Sequence, residues 1–377
     1  MAFDSTPMDQ AAYPLLSINI GKLRQNLETL SASVKGSGCS LMIVTKSFCA
    51  DPEITEMLLS HSAVDYLADS RIKNIKTYAG SGKKTVLLRL PQKCEIPDVI
   101  RCTDVSMNSE IETLGLLNDE AARQGKIHQA LLMIDLGDLR EGLFYKEEEK
   151  ILRTVDEISR MKHLELLGLG TNLTCYGAII PKMDNLSILV SWADRIHEHF
   201  GIKPAIVSGG NSSSYYLIEK GEIPQGINNL RLGESFVLGT ETAYGSRIEN
   251  TYSDGVKLEA QIIEVQTKPS LPEGESGKDA FGKCPVFKDL GLIKRAILAV
   301  GKQDVDTENM FPEDLSIAIL GASSDHLILD ISASEKHYQV GDVVAFTLKY
   351  SALLRAFSSG YVQRRYIEGI PKSPVNF

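Results

Sequence analysis

Between residues 41 and 232 the chain repeats one pattern: a short apolar run, a polar or glycine-rich break, then a longer segment with helical spacing. That alternation commits a chain to a parallel sheet covered by helices. A strand buried on both faces must be apolar throughout, and it needs a crossover before the next strand can run the same way. The runs predict strands at Leu41–Lys46, Val64–Ala68, Thr85–Leu90, Asp104–Met107, Ala130–Asp135, Glu165–Gly170, Ala205–Ser208 and Asn229–Leu232. Eight strands with polar exits fit a (β/α)8 TIM barrel. An open doubly wound sheet is the alternative; it would more often carry a Gly-rich turn after its first strand, and none follows Lys46. Glu110 to Arg123, with Ile111, Leu114 and Leu117, and Leu186 to Phe200, with Leu186, Leu189, Trp192 and Ile196, read as covering helices.

Beyond Glu234 the character changes. Val256–Val265, Arg295–Val300, Ser316–Ile319, His326–Asp330 and Asp342–Tyr350 read as strands between Gly, Pro and Asp turns. The expected division is a barrel over residues 13–240 and a C-terminal all-β domain over residues 241–377, with some contribution from an N-terminal strand at 15–20. The Pro/Gly-rich insert Lys268–Gly291 has the length of a functional loop.

A formal charge of −9 over 377 residues, with no long Lys/Arg cluster, argues against nucleic acid and anionic membranes and for a small-molecule ligand. The six cysteines show no CxxC pair or zinc-type spacing, so reduced thiols and no metal site are expected. No secretory pattern is visible in Met1 to Tyr13 and no run approaches the roughly 20 apolar residues of a membrane span, which points to a cytoplasmic protein.

In a parallel barrel the chemistry sits where strands end. Lys46 closes the first run, and a lysine in a dry strand mouth has a lowered amine pKa and can form a Schiff base. Asp135-Leu136-Gly137-Asp138-Leu139-Arg140-Glu141-Gly142 follows the fifth run and Gly170-Thr171-Asn172-Leu173-Thr174-Cys175-Tyr176 the sixth. Ser208-Gly209-Gly210-Asn211-Ser212-Ser213-Ser214 follows the seventh and offers hydroxyls and open N–H groups to a phosphate. Arg231 stands in the eighth, which exits through Gly233 and Glu234. An imine-forming amine, an anion cradle and a neighbouring guanidinium together fit pyridoxal 5'-phosphate.

With Gly321-Ala322-Ser323-Ser324-Asp325-His326, these motifs resemble the alanine-racemase fold type of pyridoxal-phosphate enzymes from about Leu15 to Tyr366, most nearly its ornithine racemase branch. The resemblance implies that Lys46 holds the cofactor as an imine and moves the α-proton on one face. It also implies that Ser212, the backbone around Gly233 and Tyr350 hold the phosphate, with Asn172 and Asn211 among the cofactor residues. Arg231 would lie against the pyridine nitrogen, and Arg140 against the ring oxygen or the substrate carboxylate. Ser324 and Asp325 would line the substrate side, Asp325 from the partner subunit, in a homodimer with two shared sites.

The chain departs from alanine racemases at three places. Asn172 stands for a histidine and Met133 for a lysine. The tyrosine that serves as second base falls on Asp279 or Phe281, within Gly274 to Gly282. Asp279 is the candidate base, with Cys175, Tyr176 and His326 behind it. Ornithine or lysine needs a carboxylate for its distal ammonium, for which Asp304, Asp138 and Asp306 are on offer. The expected activity is racemisation of ornithine or lysine. The alternatives are alanine racemisation, a decarboxylase or aldolase on the same scaffold, and a non-catalytic pyridoxal-phosphate carrier.

Overall fold

The computed structural model describes residues 12–369. The chain divides into two compact units, one from Gly21 to Ser253 and the other joining the chain up to Ile20 with the chain from Asp254 onward. The last stretch of the expected second domain, residues 370–377, lies outside the described residues.

Strand β1 (Leu15–Asn19) belongs to the second unit. The first unit holds β2 (Ser40–Val44), β3 (Tyr66–Asp69), β4 (Lys84–Leu87), β5 (Val105–Asn108), β6 (His128–Asp135), a two-residue β7 (Leu143–Phe144), β8 (Leu164–Gly170), β9 (Ile206–Ser208) and β10 (Asn229–Leu232). Every pairing among them is parallel, β5 pairs with β6, and β10 pairs with β2, so the eight main strands close into a barrel. That closure rules out the open-sheet alternative. Met42, Val44, Ala68, Val86, Val105, Met107, Leu131, Met133 and Ile206 fill the interior as a packed core. Met133, which the resemblance sets against a lysine of alanine racemases, is a fully buried member of this core.

Helices α1 (Ile20–Gly36), α2 (Pro52–Ser60), α3 (Ile72–Ile75), α4 (Ile96–Cys102), α5 (Ile111–Arg123), α6 (Glu148–Ser159), α7 (Met183–Phe200), α8 (Tyr215–Glu219) and α9 (Glu234–Leu238) alternate with the strands. Helix α7 buries Leu186, Leu189, Trp192 and Ile196, as their spacing predicts. Each such side chain contributes about 1.5–3 kcal/mol relative to an exposed one.

Several strand ends shift from expectation, and one shift matters. The first strand stops at Val44; Thr45–Phe48 form a 3-10 turn, so Lys46 stands on a turn and not on the strand. Thr45 is β-branched and reads as strand, but its Oγ1 donates to Asp69 Oδ2 of β3 at 2.6 Å and lies 3.2 Å from Tyr78 Oη, which ties the chain to the neighbouring strand end. Gly142 fixes a second loop. Its φ is +124°, and a Cβ there would stand 2.6 Å from the Asp135 amide nitrogen, so only glycine lets the segment with Arg140 fold back onto β6.

Residues 241–253 pack with the barrel. The Glu241 carboxylate accepts N–H bonds from Ala243, Tyr244 and Ser246, and the Tyr252 amide donates to Asn26 Oδ1 at 2.6 Å. The compact unit therefore runs past 240.

The second unit is a mainly antiparallel sheet. It comprises β11 (Val256–Pro269), β12 (Leu292–Leu298), β13 (Met310–Pro312), β14 (Ala318–Ala322), β15 (Leu327–Asp330), β16 (Val343–Leu348), helix α10 (Tyr350–Ser358) and β17 (Gln363–Ile367). The order is β13-β16-β11-β12-β15-β14, and β1 pairs antiparallel with β11 and parallel with β17. Two expectations are corrected. The strand thought to reach Tyr350 ends at Leu348 and Tyr350 opens α10, so the unit is not purely β. The Lys268–Gly291 insert is shorter than expected, because β11 continues to Pro269 and pairs it with Leu292. Among the described residues no helix is long and apolar enough to cross a membrane.

Candidate active site

The C-terminal ends of the barrel strands gather Arg140, Asn172, Asn211, Ser212, Arg231 and Gly233 through a chain of short contacts, with Lys46 on the turn that leaves the adjoining strand β2. Lys46 leaves β2 on the 3-10 turn, half-buried. Behind it Asp69 is fully buried and accepts from Thr45, the Arg71 amide (2.8 Å) and Asn74 Nδ2 (3.1 Å). Burial pushes the Asp69 carboxyl above its usual range, while those hydrogen bonds and the Lys46 charge pull the other way.

Arg231 is 4 % exposed and makes no ion pair within 4.0 Å among the described residues. Its Nη1 donates to Ser208 Oγ and its Nη2 to the Thr171 carbonyl, each at 2.6 Å. Burial pushes its titration down to about 10, still far above neutrality, so a charged guanidinium sits in the mouth with neutral hydrogen-bond partners, while the Glu141 charge acts on it from a distance. Arg140 pairs with Glu141. Burial works against its charge, but the Glu141 hydrogen bonds and charge outweigh this and hold it above its ordinary range.

Asn172 is flanked by donors on both sides. Arg140 Nη1 and Nη2 lie 3.1 and 2.8 Å from one end of its amide, and Asn211 Nδ2 lies 3.0 Å from the other. One amide oxygen cannot answer both, so this corner has more donors than acceptors. Asn211 also donates to the Leu173 carbonyl (2.9 Å) and Cys175 Sγ (3.3 Å), while its Oδ1 caps the Ser212–Ser214 turn through the Ser213 amide (2.8 Å).

Ser212 Oγ accepts the Ser235 amide at 3.1 Å and, more weakly, that of Gly233 at 3.4 Å, which joins the turn after β9 to the exit of β10. The neighbouring Ser213 and Ser235 hydroxyls are buried without a hydrogen-bond partner. A Cβ on Gly233 would come within 3.2 Å of the Val44 Cβ, so glycine lets the two strand exits approach.

This donor set fits pyridoxal phosphate. A buried guanidinium lacking an anionic partner, an amide with donors on both sides and unanswered hydroxyls call for a ligand rich in acceptors: a phosphate, a ring oxygen and a pyridine nitrogen. Lys46 stands half-buried at the exit of β2, the strand that pairs with Arg231's strand β10.

Most of the remaining expected residues lie in the second unit. Asp279 caps its own turn: Oδ1 accepts the Phe281 and Lys283 amides at 2.9 Å each. Those bonds, the Lys283 amide first, hold its carboxyl below the usual range. Asp304 is 4 % exposed and accepts from Ser359 Oγ (3.0 Å) and the Gly301 amide (3.3 Å), a structural role not foreseen for an ammonium anchor. Asp306 takes Ser351 Oγ at 2.6 Å. In the barrel Asp138 is fully buried and accepts the Thr174, Tyr176 and Ile179 amides, shaping the loop after β8. Asp325 is exposed and accepts from Gln303 Nε2, and Ser324 and His326 are exposed beside it. Tyr350 is half-buried at the start of α10.

Two residues escaped the sequence reading. Glu141 looked like a local partner only, yet its charge reaches both site arginines. Glu234 was noted only as a strand exit, yet burial pushes its carboxyl up to about 7, opposed by the Lys46 charge. Its sequence signal, an acidic residue directly after Gly233, is indistinguishable from a favourable first helical residue.

A family profile described as "Alanine racemase, N-terminal domain" matches residues 18–240, and the chain belongs to that family. It is a racemase, an isomerase by chemical class. The ornithine racemase of Acetoanaerobium sticklandii (strain ATCC 12662) is 49 % identical over 355 residues, covering 94 % of this chain and 100 % of that protein. The lysine racemase of Thermotoga maritima is 37 % identical over 357 residues, covering 94 % and 98 %. Among solved structures, alanine racemase from Clostridium difficile 630 superposes with TM-score 0.71 at 19 % identity, covering 95 % of this chain and 97 % of that one. Alanine racemase from Bartonella henselae, solved with covalently bound pyridoxal phosphate, gives 0.71 at 16 %, covering 95 % and 100 %.

Proposed function

We propose that this racemase interconverts the L and D forms of a basic amino acid, ornithine first and lysine second, using pyridoxal 5'-phosphate. The observation that carries the chemistry is the donor-rich barrel mouth around Arg231, Arg140 and Asn172 beside Lys46. The full-length similarity to proteins named ornithine and lysine racemase supports the substrate class.

When bound, the cofactor supplies an electron sink that loosens the α-proton of an attached amino acid. Lys46 attaches the cofactor and carries the α-proton on one face. Ser212, Asn211 and the Gly233 amide hold the phosphate, and Tyr350 is assigned to it as well. Arg231 titrates at about 10, so near neutrality it can donate a hydrogen bond to a ring nitrogen without giving up its proton. By keeping its own proton, Arg231 would leave the bound cofactor a weaker electron sink and so favour return of the proton to Cα over side reactions. Arg140, oriented by Glu141 and Asn172, takes the ring oxygen or the substrate carboxylate. Ser324 and the partner subunit's Asp325 line the substrate side of a cytoplasmic homodimer with two shared sites.

Asp279 is the proposed proton carrier for the opposite face. A second reading gives that role to Cys175, because its Sγ lies 3.3 Å from Asn211 Nδ2 inside the donor cluster, whereas the Asp279 carboxylate already serves its own turn.

The test is chiral analysis with α-deuterium incorporation in deuterated water, starting from each enantiomer of ornithine, lysine and alanine. Inversion from both enantiomers of ornithine, with little from alanine, is expected. Efficient alanine inversion would move the assignment to alanine racemase, loss of a carbon fragment to a decarboxylase or aldolase, and no exchange with any of them to a carrier.

A further inference from the structure

Lys46 sits in the middle of a turn whose backbone is strained. The 3-10 turn Thr45–Phe48 is followed by Cys49 and Ala50 at φ +52° and +50°, consecutive non-glycine residues in the left-handed region. Side chains seldom accept that conformation, and it persists only where neighbours impose it. The backbone closes on itself through the Cys49 amide, which donates to the Lys46 carbonyl at 3.2 Å, and the Ala50 amide, which donates to the Thr45 carbonyl at 3.1 Å.

Side chains on either side of the lysine anchor the turn from outside. Before it, Thr45 is fully buried and uses its hydroxyl twice. Its one hydrogen goes to Asp69 Oδ2 at 2.6 Å rather than to the Ala68 carbonyl at 3.3 Å, which leaves the oxygen to accept from Tyr78 Oη at 3.2 Å. Asp69 is itself fixed at the exit of β3 by the Arg71 amide and Asn74 Nδ2. After it, Phe48 is fully buried and meets Phe236 of α9 edge to face, with ring centroids 5.9 Å apart. Helix α9 also carries the Ser235 amide that donates to Ser212 Oγ. The Lys46 amine makes no hydrogen bond or ion pair of its own among the described residues, so its place is set by the turn that carries it.

We propose that Thr45 is a positioning residue for Lys46: its hydroxyl, held between Asp69 and Tyr78, keeps the strained turn in the conformation that sets the lysine amine at a fixed place beside the phosphate cradle. This rests on the reading of Lys46 as the residue that attaches the cofactor. A threonine that only filled space could be replaced by valine, which has its shape and stiffness but no hydroxyl. Here valine would leave Asp69 and Tyr78 without their partner and let the turn relax from the left-handed conformation. The amine would then meet the aldehyde of a bound cofactor less often, while Ser212, Gly233 and Ser235, on other elements, would keep their hold on its phosphate.

The experiment compares two ligands on the apoenzyme. Capture of pyridoxal phosphate is followed by visible absorbance and located by borohydride reduction and peptide mapping. Pyridoxine 5'-phosphate has the ring and phosphate but no aldehyde, and its affinity is read by equilibrium dialysis. Thr45→Val should capture pyridoxal phosphate at least about tenfold more slowly than wild type, the size of effect that loss of a buried hydrogen bond to a charged group produces, and bind pyridoxine 5'-phosphate within about twofold of wild type. Thr45→Ser, which keeps the hydroxyl, should recover capture to within about threefold. Tyr78→Phe should slow capture in the same pattern, and it decides the matter if Thr45→Val does not fold. Capture at the wild-type rate by these variants, an equal loss of affinity for both ligands, or a Thr45→Ser as slow as Thr45→Val overturns the proposal and leaves the racemase reading intact. Absence of label on Lys46 in the wild type would instead remove the reading on which it rests.

Discussion

His128 opens β6 with a buried imidazole, and its pH dependence can be worked through from the structure. Its Nε2 lies 2.8 Å from Ser106 Oγ, which also accepts Asn108 Nδ2 at 2.9 Å. Ser106 has its own hydrogen to offer Nε2, an arrangement that suits a neutral ring. Burial lowers its titration from 6.5 to about 4, with Asp104 opposing weakly. The folded value lies below the unfolded one, so this group's contribution is complete above pH 6.5 and is lost as pH falls toward 4. At about 1.4 kcal/mol per unit the full loss is about 3 kcal/mol, of which about 2 kcal/mol has gone by pH 5. The perturbation is His128→Gln, which cannot charge. Trp192 is the chain's single tryptophan and lies in the barrel, so its fluorescence during urea unfolding follows that unit alone. The stability difference between wild type and His128→Gln should shift by about 2 kcal/mol, against wild type, between pH 7.5 and pH 5. A difference that stays constant across this range would refute the reasoning.

Lys46→Ala should abolish both the visible absorbance of bound cofactor and turnover, measured by spectrum and chiral assay. Arg231→Lys keeps the charge but cannot reach Ser208 and Thr171 together; a stability loss of about 1–3 kcal/mol and at least about tenfold lower kcat are expected from urea unfolding and deuterium exchange. Asp279→Asn preserves an acceptor for the turn while removing the base, so a loss of about 10²-fold or more in both directions with unchanged cofactor binding is the expected outcome. An unchanged rate, with Cys175→Ser slow, would assign the proton to Cys175. Gly142→Ala should cost about 1–3 kcal/mol or more in thermal unfolding, since the residue would need a positive φ and displace the Asp135 amide.

The barrel was legible because parallel strands buried on both faces leave apolar runs, and because polar or glycine residues follow the Asn229–Leu232 and Glu165–Gly170 runs. The end of the first strand was not: Thr45 has strand propensity, and what stops the strand is a hydroxyl bond to Asp69, 24 residues away. Acidic residues were the hardest to place. Asp304, Asp306 and Asp138 look alike in sequence as solvent-facing carboxylates, yet each is taken up by hydroxyl or amide donors that only the folded chain brings near. Glu234 hid for the opposite reason, because a local role explained it before its proximity to Lys46 could be known. The Arg140–Asn172–Asn211 corner joins three loops after three strands, and only the resemblance to known enzymes grouped these residues in advance.

The second unit is discontinuous, and that has a consequence for synthesis. Its strand β1 is synthesised before the whole barrel, but its partners are Val256–Glu259 in β11 and Gln363–Ile367 in β17, the latter about 350 residues later. The barrel, continuous in sequence, can complete its pairings while this strand waits unpaired. Leu15, Leu16 and Ile18, all buried in the folded unit, are then without their strand partners until β11 and β17 have been made. Sequestering this short segment would spare the barrel's own pairings and leave the later sheet without the strand that bridges β11 and β17.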